Sequence, residues 1–187
     1  MQKKTFIIVI IVVLIVAFFK YENLYNLVLE KVYPIKYNEY IEKYSKEYNV
    51  DKLLICSIMK AESNFKQDAV SKSGAKGLMQ IMDATANETL EKNNNKDIET
   101  KSLLDPEKNI MIGTKYYSDL LSDYNQNMLL ALAAYNAGIG NVNDWIDKGI
   151  IKSDGSNIEN IPFKETNMYV RKIVNNYKMY QKLYKNS

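Results

Sequence analysis

The chain has 187 residues, enough for one domain with a proper core. It contains no histidine and a single cysteine, Cys56, which excludes Ser–His and Cys–His nucleophile pairs, imidazole-ligated zinc and an internal disulfide framework. The formal charge is +3, and without Lys3 and Lys4 the remaining 23 basic groups face 22 acidic ones, so nothing in the electrostatics argues for nucleic acid.

Phe6 to Phe19 is an unbroken apolar run behind Met1-Gln2-Lys3-Lys4. It is shorter than the roughly 20 residues of a comfortable membrane span, though Thr5, the stems of Lys4 and Lys20, and Tyr21 extend it. No small-x-small cleavage site follows, so residues 1–20 are expected to be an uncleaved, single-pass anchor; a cleaved signal peptide is the alternative. The lysines place the N-terminus in the cytoplasm and the rest of the chain outside.

Residues 21–37 are expected to form a juxtamembrane stalk that ends near Tyr33-Pro34. From residue 38 to 187 the chain reads as helix after helix. Asn38 is expected to cap a helix carrying Ile41, Tyr44 and Tyr48. Asp51 is expected to cap the next, where Leu54, Ile55, Ile58 and Met59 recur at helical spacing. Ser71 to Gly77 reads as a loop, and Asp83 starts a further helix. Asp105-Pro106-Glu107 is a strong helix start, leading into Ile110, Ile112, Tyr116, Leu120 and Leu121. Met128 to Ala137 is a very apolar helix closed by Gly138. Trp145 sits on a short helix, residues 149–162 read as irregular, and a last helix runs from about Thr166 to Tyr184. No strand alternation is visible beyond the apolar run, so the expected fold is an all-α globule of short helices behind an N-terminal transmembrane helix.

Glu62 falls four residues after Ile58 and three after Met59, on the apolar side of its helix. A carboxyl held against apolar surface stays protonated, which is what a general acid requires. Four blocks stand out around it: Ala61-Glu62-Ser63-Asn64-Phe65, Gly74-Ala75-Lys76-Gly77-Leu78-Met79-Gln80-Ile81-Met82, Ala134-Tyr135-Asn136-Ala137-Gly138, and Ile161 to Val170. In this order and spacing they resemble the soluble-lytic-transglycosylase (SLT) family, whose catalytic domain has a lysozyme-like fold. The similarity covers about Tyr37 to Tyr184.

The resemblance implies cleavage of the β-1,4 bond between N-acetylmuramic acid and N-acetylglucosamine in peptidoglycan glycan strands. One glutamate, here Glu62, acts first as acid and then as base to close a 1,6-anhydro ring, with no cofactor or metal. It also implies substrate contacts for Ser63, Ser71, Gln80, Met82, Tyr135, Asn136, Glu159 and Tyr169. Two departures stand out: Asp83 occupies the family's usual proline position, and Asn167 occupies that of an arginine. Glu165 reads as a helix N-terminal acid and is left outside the catalytic set. Two other readings stay open at this point: a muramidase that hydrolyses the same bond, and a non-catalytic peptidoglycan-binding scaffold of an envelope machine.

Overall fold

The computed structural model describes residues 2–92 and 103–185, except for the side chains of residues 2–10, 12, 13, 22 and 23. In chain order its helices are α1 Gln2–Val32, α2 Asn38–Tyr48, α3 Lys52–Glu62, α4 Asp83–Lys92, α5 Pro106–Asp123, α6 Met128–Ala137, α7 Ile139–Asp147 and α8 Lys164–Tyr184, with a 3₁₀ turn at Ile158–Asn160. Among the described residues the only strand-like pairing is the pair of isolated bridges Val70↔Lys76 and Lys76↔Ile81.

The helix ends follow local chemistry. The Asp51 carboxylate accepts from the Leu53 and Leu54 amides at 2.7 and 3.4 Å and starts α3. Asp105 accepts from the Lys108 amide at 3.0 Å, with Pro106 in the first turn of α5. Asn127 does the same for α6 through the Leu129 and Leu130 amides. Asn38 differs from expectation: it is the first helical residue of α2, and Tyr37, in a left-handed conformation with φ 60°, occupies the cap. No side chain caps the first-turn amides of α2, and the Tyr37 carbonyl accepts the first helical hydrogen bond from Ile41 at 3.1 Å. The last helix begins at Lys164, about two residues earlier than its apolar stripe suggests.

α3 is the centre of the molecule. Leu53 through Met59 are all buried, so the helix is covered on every side rather than along one stripe. It packs along α8 and against α2, while α5 bridges α2, α4 and α6, and α6 meets α7 and α8. Burying each Leu, Ile or Met of α3 contributes about 1.5–3 kcal/mol. Cys56 is part of this core, and burial pushes its thiol up to about 12, which leaves it an inert apolar group.

The end of the segment read as a stalk, from Val32 to Tyr37, packs on the body. Tyr33, Ile35 and Tyr37 pack on the core, the Tyr33 and Tyr180 rings meet edge to face at 5.6 Å, and the Tyr180 and Tyr184 hydroxyls donate to the Pro34 and Tyr33 carbonyls at 3.0 and 2.9 Å. The Lys60 ammonium donates to the Val32 carbonyl and lies over the Tyr33 ring. Among the described residues no helix is long and apolar enough to cross a membrane; the apolar run from Phe6 falls partly on side chains outside the described set.

Candidate active site

Glu62 is the last residue of α3, and Ser63 follows it as the C-cap. The helix therefore delivers the carboxyl from the packed centre of the molecule to the point where the chain turns out of it. Burial raises the Glu62 carboxyl to about 7, opposed by a hydrogen bond from Tyr169 and by the positive charge of Lys172. The Tyr169 phenol donates to Glu62 Oε1 at 2.6 Å. Burial and the nearby Glu62 charge push the Tyr169 and Tyr135 hydroxyls well above the usual phenol range. Both phenols thus remain protonated and keep a proton to donate.

One face of α8 clamps this end of α3. Tyr169 holds the carboxyl, and three positions on Lys172 donates from its ammonium to the Ala61 carbonyl at 2.7 Å. A cation there satisfies a free C-terminal carbonyl of α3 and faces the negative end of its dipole. Changing Tyr169 to Phe removes a bond made preferentially to the ionised carboxylate, so the Glu62 titration midpoint should rise further. Carbon NMR of labelled glutamate carboxyls tests this, and a midpoint that stays put or falls contradicts the assignment of that bond.

The loop 69–82 is the opposite wall, and it is tied down from several directions. Lys76 and Ile81 exchange backbone hydrogen bonds at 3.0 Å each, and the Gly77 amide donates to the Ala69 carbonyl at 2.8 Å. Gly77 has φ +76°, and a Cβ there would lie 2.3 Å from Asn109 Nδ2 and 2.4 Å from the Leu103 carbonyl, so no larger residue fits. The buried Asn109 is the peg: its Oδ1 accepts from the Met79 amide at 2.7 Å, and its Nδ2 donates to the Lys76 and Leu103 carbonyls at 2.9 and 2.8 Å. Met79 is fully buried and presses on Gly113 of α5, where a Cβ would come within 2.5 Å of its sulfur.

Most residues carried over by resemblance have their polar groups engaged within this scaffold. Ser63 Oγ lies 2.8 Å from the Leu78 carbonyl and 3.2 Å from that of Met59. The Tyr135 hydroxyl donates to the Met79 carbonyl at 2.8 Å, and its ring packs on Tyr116 at 5.2 Å. Gln80, at φ 50°, donates to the Ala69 and Gly77 carbonyls at 3.1 and 2.9 Å. Ser71 Oγ accepts from the Ala75 amide at 3.0 Å, and Asn136 accepts from Thr166 at 2.8 Å, joining α6 to α8. Met82 is exposed at the loop's end, and Glu159 is exposed on the 3₁₀ turn. The structure thus brings Glu62, Tyr169 and Tyr135 together, with Ser63 and Tyr135 converging on the Leu78–Met79 backbone. Asp83 is paired with Lys76 at 2.8 Å. Lys172 and Asn109 were not singled out from the sequence; Lys172 sits three residues after Tyr169 and is readable from helical spacing, whereas nothing local marks Asn109.

Residues 39–156 match the family model described as the transglycosylase SLT domain. Over 148 residues the chain is 35% identical to a soluble lytic murein transglycosylase of Salmonella typhimurium, covering 78% of this chain and 23% of that protein. Over 169 residues it is 36% identical to a membrane-bound lytic murein transglycosylase C of Edwardsiella ictaluri, covering 79% of this chain and 47% of that protein. The structure superposes, with a TM-score of 0.74 and 35% identity, on an inactive Glu-to-Gln mutant of the lytic transglycosylase Slt from Pseudomonas aeruginosa, covering 83% of this chain and 25% of that one. The chain thus spans about a quarter of the length of the soluble curated relative.

Proposed function

The chain belongs to the transglycosylase SLT family, and we propose that it is a peptidoglycan lytic transglycosylase in which Glu62 serves as both acid and base. The observation that carries this is the Glu62 carboxyl at the end of the buried α3, held by the Tyr169 hydroxyl at 2.6 Å and raised to about 7 by burial. A group that titrates near neutrality gives up and takes back a proton with comparable ease. Protonated Glu62 donates to the glycosidic oxygen as the bond from the muramoyl anomeric carbon breaks, and the N-acetylglucosamine hydroxyl leaves. The resulting carboxylate is stabilised by the Tyr169 hydroxyl and by Lys172. It then takes the proton of the muramoyl C6 hydroxyl as that oxygen bonds the anomeric carbon. Glu62 ends protonated, and no water is consumed. Tyr135 and Ser63 hold the loop wall against this site, while Gln80, Met82, Ser71, Asn136 and Glu159 border the glycan path.

The proposal includes a membrane tether. α1 has 31 residues, about 46 Å at 1.5 Å per residue. On it Leu14, Ile15, Val16, Phe18 and Phe19 are exposed, and a contiguous apolar surface of this kind marks a protein or membrane contact. A membrane-bound relative supports the same placement. The active domain then faces the wall from the outer side of the membrane. A chain beginning at residue 21 should release soluble muropeptides from purified sacculi, because it keeps Tyr33 and Pro34 against α8. A chain beginning at residue 38 loses those bonds and should melt at a lower temperature. Absence of release by the residue-21 chain contradicts the enzymatic reading.

A further inference from the structure

The outer half of α1, from Lys20 to Val32, meets the body along one edge. The Tyr25 ring lies under the Lys182 ammonium at 5.4 Å, and Leu29 is half-buried. The Tyr33 amide donates to the Leu29 carbonyl at 2.7 Å, so helical bonding runs unbroken into the segment that packs on α8. About a quarter turn from that edge, at about 100° per residue, lies an apolar face. Its Tyr21, Leu24 and Val28 are 66, 62 and 51% exposed. The exposed Asn26 and Glu30 fall on the opposite side of the helix.

The spacing of this face has a physical meaning. Leu14, Ala17, Tyr21, Leu24 and Val28 follow one another at intervals of three, four, three and four residues, and all five are exposed. Such a repeat, averaging about 3.5 residues, keeps one seam of a helix against a partner helix. Around Leu14 the neighbouring side chains are apolar too, and lipid can cover them. In the outer half Lys20, Glu22, Asn23, Asn26, Glu30 and Lys31 interrupt the sequence, which sets that half in water. There the stripe needs protein to cover it. A helix of about 20 Å standing in water is marginal unless its apolar face packs. Lys31, the next position in the repeat, ends the seam.

We propose that α1 pairs in parallel with α1 of a second copy of this chain along Leu14, Ala17, Tyr21, Leu24 and Val28. Copies in one membrane share one orientation, so the stripe meets its own equivalent in register across a two-fold axis along the helices. Ala17 lets the two backbones approach closely within the bilayer. The Tyr180–Pro34, Tyr184–Tyr33 and Lys60–Val32 bonds fix α1 to the body, so pairing holds two catalytic domains side by side. The inference rests on the membrane tether proposed above, and it does not depend on turnover.

The test is a cysteine scan in the full chain in membranes, with Leu24→Cys, Val28→Cys, Asn26→Cys and Glu30→Cys made singly. The native Cys56 is buried and stays silent. Mild oxidation should link the first two variants into disulfide dimers and leave the last two monomeric. Equal yields at all four positions, a preference for Asn26 and Glu30, or no dimer at any of them overturns the proposal. In detergent the native full chain should sediment at twice the mass of a Leu24→Glu, Val28→Glu double variant. The variant should keep the native melting temperature, because the two side chains face away from the body. A native chain that sediments as a monomer, or a variant that stays dimeric, also overturns the pairing. Release of the full chain from membranes by alkaline carbonate would contradict the tether, while sedimentation still decides the pairing.

Discussion

Glu62→Gln should remove glycan cleavage by at least about a thousandfold, the range a single positioned acid commands, while leaving a protein that is more stable than the wild type in alkaline solution. The two effects have one cause. The amide keeps the shape of the carboxyl and can still accept from Tyr169, but it cannot hand over a proton. It also cannot ionise. In the native protein the carboxyl titrates near 7 rather than at its ordinary 4.5, so between those values the folded chain holds a proton that the unfolded chain has released. Stability that is fully present below about pH 4.5 is therefore lost as pH rises through about 7. The shift corresponds to at most about 3 kcal/mol, and above pH 8 the Gln variant escapes it. Melting curves at pH 4 and pH 9 test this: the variant should gain only at the higher pH. The alkaline limb of kcat/KM should fall in the same region, near pH 7, because the resting enzyme needs the acid form.

Asn109→Asp should cost the second largest amount, although the residue lies in no recognised block and carries no chemistry. One carboxylate oxygen can still accept from the Met79 amide, but the other then faces the Lys76 and Leu103 carbonyls, which now receive donors from Asn109 at 2.9 and 2.8 Å. Two unsatisfied carbonyls and a buried charge amount to about 3 kcal/mol or more, a fall of about 10 °C in melting temperature for a domain of this size. Asn109→Ala removes all three bonds without adding charge and should fall short of that. The effect should reach activity as well, since the peg fixes the Met79 backbone on which Tyr135 leans beside Glu62. Thermal melts of the two variants, with the Asp form less stable above neutral pH, decide the matter.

These two residues mark where sequence reading succeeds and where it stops. Helix types and several ends were legible because caps act locally: Asp51, Asp105 with Pro106, and Gly138 are each recognisable from a few neighbours. Asn38 was not, because the left-handed backbone of Tyr37, rather than any side chain, opens α2. The apolar stripe of α3 was visible, but its burial on all sides depends on α8, which arrives more than a hundred residues later in the chain. The Glu62–Tyr169 pair spans 107 positions and was legible only because the family pattern carries both residues. Asn109 contacts a loop 30 residues upstream through Met79, and neither periodicity nor motif marks such a peg. The engaged hydroxyls and amides of Ser63, Gln80 and Tyr135 show the complementary limit: a motif reports that a residue belongs to a site, and only geometry tells whether it holds substrate or scaffold.

The central claim is that one carboxyl both breaks the bond and closes the ring. The mass of the muropeptides released from purified sacculi by the chain beginning at residue 21 tests it most directly. The 1,6-anhydro product, one water lighter than the reducing sugar and absent with Glu62→Gln, is the result expected. Products carrying that extra water and a reducing end would contradict it, and would mean that water rather than the muramoyl C6 hydroxyl attacks at Glu62.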